Sequence, residues 1–563
     1  MRKPHQVYLS LLLICFATIA ASAQNPQPDG QSFRVQCPTA TPLHPAGTVE
    51  TPYKGPVSNT VTITPQNGAP SFALPYVSNG GAVKCQEISG GDGYMTEADG
   101  NQTFMFAFGP LSGMNMIKNG QPGTLLNTDF NNFYNSPTLP NGCNSDAPST
   151  CGPMSTDPTY KPAKPVSLDG AVVDPAAIMT IGVMNGNLPM PLAAFDEDDE
   201  FFLTLTNVGM IMRPDLFEQH TVHFHGYPNA SSYYDGVPDA SIAVNIGGSF
   251  TYYYMAPDAG TYFYHCHITP PEHLQMGMVG QLYVRPRQNR VAVGNGLYPA
   301  LQLQQLDLRT ACPNTGPNAT GPSTDILCST PLPALNSVTQ QVDPFAGVDS
   351  RIPAGAPLKY AYNDGDGSTA YEFDVPLQIH GFDPNFHFVG MTFNPEGFSD
   401  MKDKYFLLNG RSYPDTVGVP GYAGCCSSSF NPDPVSHAMG TEDSDGRTRF
   451  SQPLTSLIVL KQGERALLRI SDLDVQEYQT LASLGIPLKV VGFNAKILRD
   501  QAGNNLYYTT NSITVGGGES LDAILDSTGI PPGTYFLYTP NLDHLSNNAE
   551  NFGGLMTEVV VTP

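Results

Sequence analysis

The chain is predicted to be an all-β protein with two Greek-key β-sandwich domains, and three observations predict it. Glycine and proline, 55 and 52 of the 563 residues, punctuate the chain as turn signals between short apolar runs. Several runs, such as 201–205, alternate apolar and polar residues as half-buried strands do. The sequence Gly260-Thr-Tyr-Phe263 also recurs as Gly533-Thr-Tyr-Phe536, which indicates a degenerate internal repeat of one sandwich.

The first residues are typical of a secretory signal. Arg2 and Lys3 precede an apolar run over about residues 7–20, and the small residues 21–23 form a cleavage site. The run is short for a membrane span, and no second hydrophobic segment follows it. We therefore expect residues 1–23 to be a signal peptide and the mature protein to be exported, to the periplasm or the extracellular space, without a membrane span.

The charge balance limits the kinds of partner. Acidic residues outnumber basic ones by 50 to 26, which gives a formal net charge of −24. Such an acidic surface disfavours nucleic acid and anionic membranes as partners. A cation or a neutral organic molecule is easier to accommodate.

Cysteine usage agrees with export. Of ten cysteines, Cys15 lies in the signal and Cys266 lies between two histidines, so an even number remains, which is expected to form disulfides. Proximity along the chain favours three pairs, Cys37–Cys85, Cys143–Cys151 and Cys312–Cys328. A bond between the remaining neighbours, Cys425 and Cys426, would be strained, so other pairings stay open.

Composition divides the chain into segments. In order, we expect an N-terminal extension (24–90), a first sandwich (91–290) with an irregular insertion at about 110–172, a linker (291–350) and a second sandwich (351–563). Within the first sandwich, the acidic run 196–200 precedes an alternating strand that begins at Phe201. We expect this run to be a solvated turn.

The histidines concentrate in one part of the chain. Six of the twelve fall between His220 and His273, with Cys266 among them and Met278 close behind. Two imidazoles, one thiolate and a weak axial thioether are typical of a blue-copper centre. The predicted ligands of this first site are His220, Cys266, His273 and Met278, with Met276 as the alternative axial ligand.

The other four histidines of this region are expected to face a second site. Residues two apart on a strand point to the same side, so His265 and His267 share the face opposite to Cys266. The predicted ligands of the second site are His223, His225, His265 and His267. A hydrolytic zinc site would be expected to have carboxylates among these histidines, and none is present, so copper is the expected metal.

The paired motifs resemble those of the multicopper oxidases, the laccase, ceruloplasmin and manganese-oxidase-like group, whose domains are cupredoxin-like. The resemblance covers residues 175–290 strongly and 350–563 weakly. It implies that the first site is a type 1 copper site with copper as the cofactor. It also implies that His223 is a type 2 ligand and that His225, His265 and His267 are type 3 ligands.

Two features depart from the family's pattern. Six residues separate Cys266 from His273, a longer loop than in the common laccase pattern and similar to that of the manganese-oxidase-like branch. The second domain should also add two His-x-His pairs to a trinuclear cluster. There, His380-Gly381 echoes His225-Gly226 with only one histidine, and the second place has none. His380 and then His544 are the possible extra ligands.

The implied function is that of an exported copper-dependent oxidoreductase. It would oxidise a small-molecule or metal-ion reductant by one electron at the type 1 copper, and would pass electrons to a second copper site that reduces dioxygen or another small oxidant. One alternative is a non-enzymatic blue-copper electron-transfer or copper-binding protein, which the missing histidines favour. Another is a nitrite-reductase-like type 1/type 2 copper enzyme, which requires a homo-oligomer whose neighbouring subunit donates a histidine.

Overall fold

Strands dominate the parts of the chain that the structure describes. The computed structural model describes residues 37–44, 58–63, 72–77, 81–131, 171–290 and 359–563, with gaps inside the last three ranges, the longest at 418–454. Helices in these parts are few and short, so the predicted all-β class is confirmed. Several predicted features lie outside the described residues: the signal peptide, the linker, most of the insertion, and the cysteines from 143 to 151, from 312 to 328 and at 425 and 426.

The first sandwich consists of two facing sheets. Its described strands follow a separate antiparallel hairpin of β1 (Ser58–Ile63) and β2 (Phe72–Val77), and they are β3 (Val83–Thr96), β4 (Gln102–Pro110), β5 (Leu125–Leu126), β6 (Ala193–Asp196), β7 (Glu200–Gly209), β8 (His223–His225), β9 (Ser249–Met255), β10 (Gly260–His265) and β11 (Val279–Arg285). One sheet has the order β4-β3-β7-β9, with β5 paired to β3, and the other has the order β6-β11-β10-β8.

The second sandwich is larger. Its described strands are β12 (Lys359–Tyr360), β13 (Ala370–Tyr371), β14 (Phe373–Phe382), β15 (Tyr405–Leu408), β16 (Ile458–Lys461), β17 (Arg465–Asp472), β18 (Gln479–Leu484), β19 (Leu488–Phe493), β20 (Lys496–Ile497), β21 (Tyr508–Thr510), β22 (Ser512–Val515), β23 (Glu519–Asp526), β24 (Gly533–Tyr538) and β25 (Met556–Thr562). One sheet has the order β15-β14-β17-β23-β19-β20, with β21 paired to β19, and the other has the order β16-β25-β24-β18-β22.

The described α-helices are short connections between strands. They are α1 (Asn127–Phe130), α2 (Pro270–Gln275) and α3 (Pro384–Gly390). The helix α2 begins with two prolines, whose fixed φ angle suits the first turn of a helix. It occupies the loop between β10 and β11, where the sequence predicts a metal ligand.

The predicted internal repeat is confirmed by the topology. The order β6-β11-β10-β8 recurs as β16-β25-β24-β18, and β4-β3-β7-β9 recurs as β15-β14-β17-β23. Strand directions match as well, because β11 is parallel to β6 and antiparallel to β10, as β25 is to β16 and β24. The recurring Gly-Thr-Tyr-Phe sequence begins β10 in one copy and β24 in the other.

The strand β10 also contacts the second sandwich. The Thr261 hydroxyl donates to a carboxylate oxygen of Asp522 at 2.6 Å, and the Ser520 hydroxyl donates to the Thr261 carbonyl at 2.7 Å. On the neighbouring strand β11, the Gln281 side chain donates to the Arg469 carbonyl at 2.8 Å. All of these groups are buried, so polar contacts between the two sandwiches are shielded from water.

The acidic run 196–200 is buried, so the expectation of a solvated turn is wrong. Lys84 Nζ lies 2.9 Å from Asp196, Arg285 donates to the same carboxylate at 2.9 Å, and Arg287 pairs with Asp198 at 2.8 Å. Although burial raises the pKa of Asp196, Lys84 and Arg285 together hold it below its usual range. The basic partners lie on β3 and at the end of β11, about 90 to 110 residues away in sequence.

The N-terminal segment is attached to the first sandwich. The predicted Cys37–Cys85 disulfide is present, and the His44 Nδ1 atom lies 2.6 Å from a carboxylate oxygen of Glu200. The strand β3, which contains Cys85, runs across the predicted end of the extension at residue 90. We therefore propose that the first sandwich begins near residue 81. No helix among the described residues is long and apolar enough to cross a lipid bilayer.

Candidate metal centre

Local backbone structure brings the first predicted ligand set together. His220 forms a β-bridge with Val244, Cys266 follows β10, His273 lies in α2 and Met278 directly precedes β11. The Cys266 N–H donates to the Met278 carbonyl at 3.2 Å, and the Met278 N–H donates to the His273 carbonyl at 2.8 Å. These two hydrogen bonds close the loop on itself and hold its side chains next to His220.

Three of these side chains converge on one point in the core. His273 Nδ1 lies 3.2 Å and His220 Nδ1 lies 3.9 Å from Cys266 Sγ. The Thr221 N–H donates to the same sulfur at 3.4 Å. The three ligand atoms lie within 4.8 Å of one another, and all three residues are buried. A thiolate and two imidazole nitrogens in this arrangement can hold a soft transition-metal ion.

The Cys266 thiol of this cluster is held in the form that binds metals, whereas His273 must release a proton to bind one. Although burial alone would raise it, the His273 and His220 rings hold the pKa of the Cys266 thiol well below its usual range. Burial opposes a charged His273, but Cys266 and then Glu218 raise the pKa of His273 to about 10. His273 Nε2 lies 3.4 Å from a carboxylate oxygen of Glu218. The thiolate is the form of cysteine that binds metals.

Both candidate axial methionines lie in the core beside this cluster. The backbone of Met278 bonds to Cys266 and to His273, as described above. The Met276 carbonyl instead accepts from the Phe106 N–H of β4 at 2.9 Å. The chain thus ties Met278, the preferred axial candidate, directly to two other candidate ligands.

The second predicted set assembles on β8 and β10. These strands pair antiparallel, with His223 directly opposite His265. His225 Nδ1 lies 3.2 Å from His265 Nε2, and the ring centroids of His223 and His267 are 5.0 Å apart. One nitrogen from each of His223, His225 and His265 lies within 4.8 Å of the others. The four histidines therefore form one cluster, with His267 at its side.

Backbone carbonyls orient two of these rings. His223 Nδ1 lies 2.6 Å from the Asp235 carbonyl oxygen, and His265 Nδ1 lies 2.8 Å from the Cys266 carbonyl oxygen. A ring nitrogen bonded to a carbonyl carries the hydrogen, so the Nε2 atom of each ring keeps its lone pair for a metal.

Burial favours the neutral form of three imidazoles of this cluster. It lowers the pKa of His265 well below the usual value, and it lowers that of His225 to about 4, with help from His223 and His267. The pKa of His223 is lowered too, again mainly by burial. Neutral imidazole is the form that binds metals.

The second sandwich does not bring its described histidines to this cluster. His380 is buried with its ring 4.8 Å from that of Phe382, and His544 Nδ1 lies 2.8 Å from a side-chain oxygen of Gln479. The nitrogens of His387 face two backbone carbonyl oxygens. The second sandwich instead places the backbone of Gly518 against the cluster, where a Cβ atom would lie 3.4 Å from His225 Nε2.

The donor atoms of both clusters fit copper. The first cluster combines a thiolate with imidazoles, and the second is made of imidazoles alone. Thiolate and imidazole donors suit copper, as they suit other soft or borderline transition metals such as zinc, whereas carboxylates suit harder ions. The fold and these donors together define a cupredoxin-type copper-binding domain.

Residues 170–289 match a family model described as multicopper oxidase, so this part of the chain is a multicopper oxidase domain. The predicted resemblance is confirmed for this part, and copper is the cofactor of that family.

The curated relatives match over a similarly short length of the chain. The multicopper oxidase MCE of Talaromyces pinophilus is 35% identical over 108 residues, which cover 19% of this chain and 16% of that protein. The laccase abr2 of Aspergillus fumigatus is 34% identical over 109 residues, which cover 19% and 17%. The match thus spans about a sixth of these relatives' length.

Solved structures are similar over a larger share of the chain. The blue copper oxidase of Nitrosomonas europaea has 16% sequence identity and a TM-score of 0.43, with 85% of each chain covered. The multicopper oxidase mgLAC has 15% identity and a TM-score of 0.45, with 85% of this chain and 87% of that chain covered.

Sequence reasoning missed three groups around the candidate ligands. They are the Glu218 carboxylate beside His273, the Asp235 carbonyl beside His223 and the Gly518 backbone beside His225. Only Glu218 carried a signal, because it is a carboxylate two residues before His220. The Asp235 carbonyl, 12 residues after His223, and the Gly518 backbone of the second sandwich are main-chain groups that carry no side-chain signal in the sequence.

Proposed function

We propose that this protein is an exported, copper-dependent oxidoreductase of multicopper-oxidase type. Single electrons from a reductant would enter at the Cys266 site and pass to the four-histidine site, where a small oxidant is reduced. The observation that carries the proposal is the position of Cys266 between His265 and His267, with its sulfur in one donor cluster and His265 in the other. Copper bound in these clusters would supply the one-electron chemistry.

In this proposal, His220, Cys266, His273 and Met278 are the type 1 ligands. Glu218 orients His273 through its Nε2 atom at 3.4 Å, and the Thr221 N–H contributes a hydrogen bond to the sulfur at 3.4 Å. Such partners outside the ligand set orient the ligands and adjust the potential of a copper centre.

The chain offers a short path between the clusters. The Cys266 sulfur is joined to both neighbouring histidines through its own backbone. A second connection is the hydrogen bond of 2.8 Å between His265 Nδ1 and the Cys266 carbonyl oxygen. Because His265 is also in contact with His225, this path reaches the interior of the second cluster.

Two oxidants fit this arrangement. With all four histidines and further ligands, the second cluster would be a trinuclear centre that reduces dioxygen. A second candidate is a nitrite-reductase-like type 1/type 2 enzyme, in which three histidines of this chain converge on one point and a neighbouring subunit would donate a further histidine. His387 and His544 of the second sandwich are hydrogen-bonded elsewhere, and His380, whose ring nitrogens are buried without a hydrogen-bond partner among the described residues, belongs to neither donor cluster, which favours the smaller centre.

Copper counting with electron paramagnetic resonance tests the proposal. The copper-loaded full chain is expected to show a type 1 signal and a separate second centre, and to turn over with dioxygen or nitrite. His223→Ala should keep the blue band and lose turnover, while His380→Ala should keep both centres. A protein with only the blue centre and no turnover would support an electron carrier instead. Loss of the second centre in His380→Ala would add His380 to the ligands.

Export is a separate part of the proposal. It is supported by the predicted signal over residues 1–23 and by the Cys37–Cys85 disulfide, because disulfides persist in oxidising compartments. Protein purified from the periplasm or the medium should begin near residue 24 on N-terminal sequencing. An intact N-terminus on cytosolic protein would contradict export.

A further inference from the structure

Large apolar side chains are exposed around the Cys266 site. They lie on three segments of the first sandwich, at 211–217, 233 and 242–246, and they are between 42% and 83% exposed. The members of this apolar patch are Ile211, Phe217, Tyr233, Ile242 and Ile246. Single exposed apolar residues are common on proteins, whereas a cluster of exposed apolar side chains marks an interaction site.

Side-chain hydrogen bonds join the segments into one surface. The Asn207 amide donates to the carbonyls of Glu218 and Val244, each at 2.8 Å, and the Gln219 amide donates to Asn245 Oδ1 at 2.6 Å. These bonds hold the backbone at Phe217 beside the backbone at Ile246. Two further contacts extend the patch. Ile246 packs over the Gly209 backbone near Ile211, and the Ser241 hydroxyl donates to the Tyr233 carbonyl at 2.7 Å.

The patch lies over the imidazoles of the Cys266 site. Phe217 is adjacent to Glu218, whose carboxylate is 3.4 Å from His273 Nε2. Val244, between the two patch isoleucines, forms the β-bridge with His220. Both imidazoles are fully buried, so a partner seated on the patch would lie one residue layer from the candidate copper ligands.

The patch has an acidic rim. Asp215, Glu218, Asp239 and Glu272 lie on the segments that carry or border it, and Asp215 pairs with Arg213 at 2.6 Å. Two copies of this chain would bring like charges together across the patch, and an anionic membrane would be repelled in the same way. A partner with basic residues around an apolar face is complementary both to the apolar patch and to its acidic rim.

We propose that the apolar patch is the docking surface for a small electron-donor protein whose redox centre reaches an apolar face ringed by basic residues. The inference rests on the proposed function, because it names the electron donor of the Cys266 site. One electron leaves the donor protein and one arrives at the Cys266 site, so no bond forms or breaks and no proton needs to move.

The test follows reduction of the blue centre in the copper-loaded full chain. Ferrocytochrome c, a small lysine-rich one-electron donor, is mixed with the oxidised protein without oxygen, and bleaching of the blue band gives a second-order rate constant. Phe217→Ser is expected to lower this rate constant about tenfold, because a central exposed aromatic residue carries much of the docking energy. Hexaammineruthenium(II), which needs no docking surface, should reduce variant and wild type at the same rate.

Phe552→Ser is the matched control, since Phe552 is 65% exposed and belongs to the second sandwich, whereas all five patch residues belong to the first. If Phe217→Ser and Phe552→Ser react alike with ferrocytochrome c, the inference is overturned. It is also overturned if Phe217→Ser dissociates an oligomer on sedimentation, since the patch would then join copies of this chain. Absence of a blue centre, or failure of the ruthenium reductant in the wild type, would refute the proposed function instead.

Ionic strength tests the acidic rim. The rate constant with ferrocytochrome c should fall as salt is added, because opposite charges steer the encounter. Asp239→Asn, away from the candidate ligands, should lower the rate at low salt and flatten its salt dependence. A rate that is independent of salt, or equal for ferrocytochrome c with succinylated lysines, contradicts the basic partner.

Discussion

Cys266 directly follows β10 in the first sandwich, and Thr539 directly follows β24, the corresponding strand of the second sandwich. The two loops have the same backbone frame. The Thr539 N–H donates to the Leu555 carbonyl at 2.9 Å and the Leu555 N–H donates to the His544 carbonyl at 3.0 Å, as Cys266, Met278 and His273 do in the first sandwich. His544 therefore corresponds to His273, and Leu555 corresponds to Met278.

The strand register extends this correspondence. His223 lies opposite His265 on β10, and Ala482 lies opposite Tyr538 on β24. Counting back three residues from each places Gln479 where the first sandwich has His220. The Gln479 side-chain oxygen lies 2.8 Å from His544 Nδ1, so a direct hydrogen bond occupies the place of the first cluster.

The second cluster has no counterpart either. In the second sandwich, the positions of His223, His225, His265 and His267 are occupied by Ala482, Leu484, Tyr538 and Pro540. Because both sandwiches have the same fold and the same loop hydrogen bonds, these features do not depend on metal ligands. The second sandwich keeps the frame and serves as a structural partner of the first.

The largest expected effect is that of replacing the candidate thiolate ligand of the first sandwich. Cys266→Ser should abolish the blue band of the copper-loaded protein completely, because the band requires a copper–thiolate bond. Thr539→Ser, at the corresponding position, should leave the band unchanged. Absorption spectra and copper content of both variants check this. A blue band that survives in Cys266→Ser would show that another residue is the thiolate ligand.

The reverse change introduces donor residues at the corresponding positions of the second sandwich. The double substitution Gln479→His with Thr539→Cys adds two donors, which together with His544 make three of the four. Because the backbone frame is already present and only the axial thioether is missing, we expect this variant to bind about one more copper per chain than the wild type, with a new thiolate-to-copper band. Copper analysis of Cys266→Ser carrying the same double substitution isolates the new site. Unchanged copper content would mean that the frame alone does not position the ligands.

A third pair of variants separates structure from metal binding. His544→Ala should lower the free energy of unfolding by about 2–4 kcal/mol, because it removes a buried ring that stacks on Phe406 and leaves the side-chain oxygen of Gln479 without its partner. It should keep the blue band, whereas His273→Ala should lose it. Urea unfolding and absorption spectra measure both. Loss of the band in His544→Ala would contradict a purely structural role.

The smallest effect concerns the contact between the two sandwiches at Asp403, which accepts from the Gln275 side chain of α2 at 2.9 Å. Burial and then Asp474 raise the pKa of Asp403 to about 10. Since the unfolded carboxyl titrates near pH 4, the free energy of unfolding should fall as the pH rises from about 4 toward 10.

Asp403→Asn keeps the acceptor for Gln275 and removes the titration. It should raise the free energy of unfolding by on the order of 1–3 kcal/mol at pH 8 and leave it nearly unchanged at pH 4. Urea unfolding at the two pH values measures the difference. An equal effect at both would show that Asp403 is not held protonated in the folded protein.

Local sequence predicted the parts of the fold that depend on local chemistry. The recurring Gly-Thr-Tyr-Phe sequence marked β10 and β24, which proved to be corresponding strands. Cys266, His273 and Met278 lie in one short loop, so their convergence followed from spacing. Nearness in sequence also identified the Cys37–Cys85 bond.

Long-range pairing decided the rest. The acidic run 196–200 looked solvated because its partners Lys84, Arg285 and Arg287 are distant in sequence. The His-Gly echo was misleading, since His225 lies on β8 whereas His380 lies on β14, which corresponds to β3. That His544 corresponds to His273 could be recognised only from the strand register and loop hydrogen bonds of the folded chain.

The contacts of β10 with the second sandwich have a consequence for thermal unfolding. The strand that ends at the candidate ligands also bonds through Thr261 to Asp522 and Ser520. Displacing β10 therefore disrupts both cores at once, and the two sandwiches should melt as one cooperative unit. A metal that binds only the folded loop after β10 would then raise the melting temperature of the second sandwich, which holds none of its ligands.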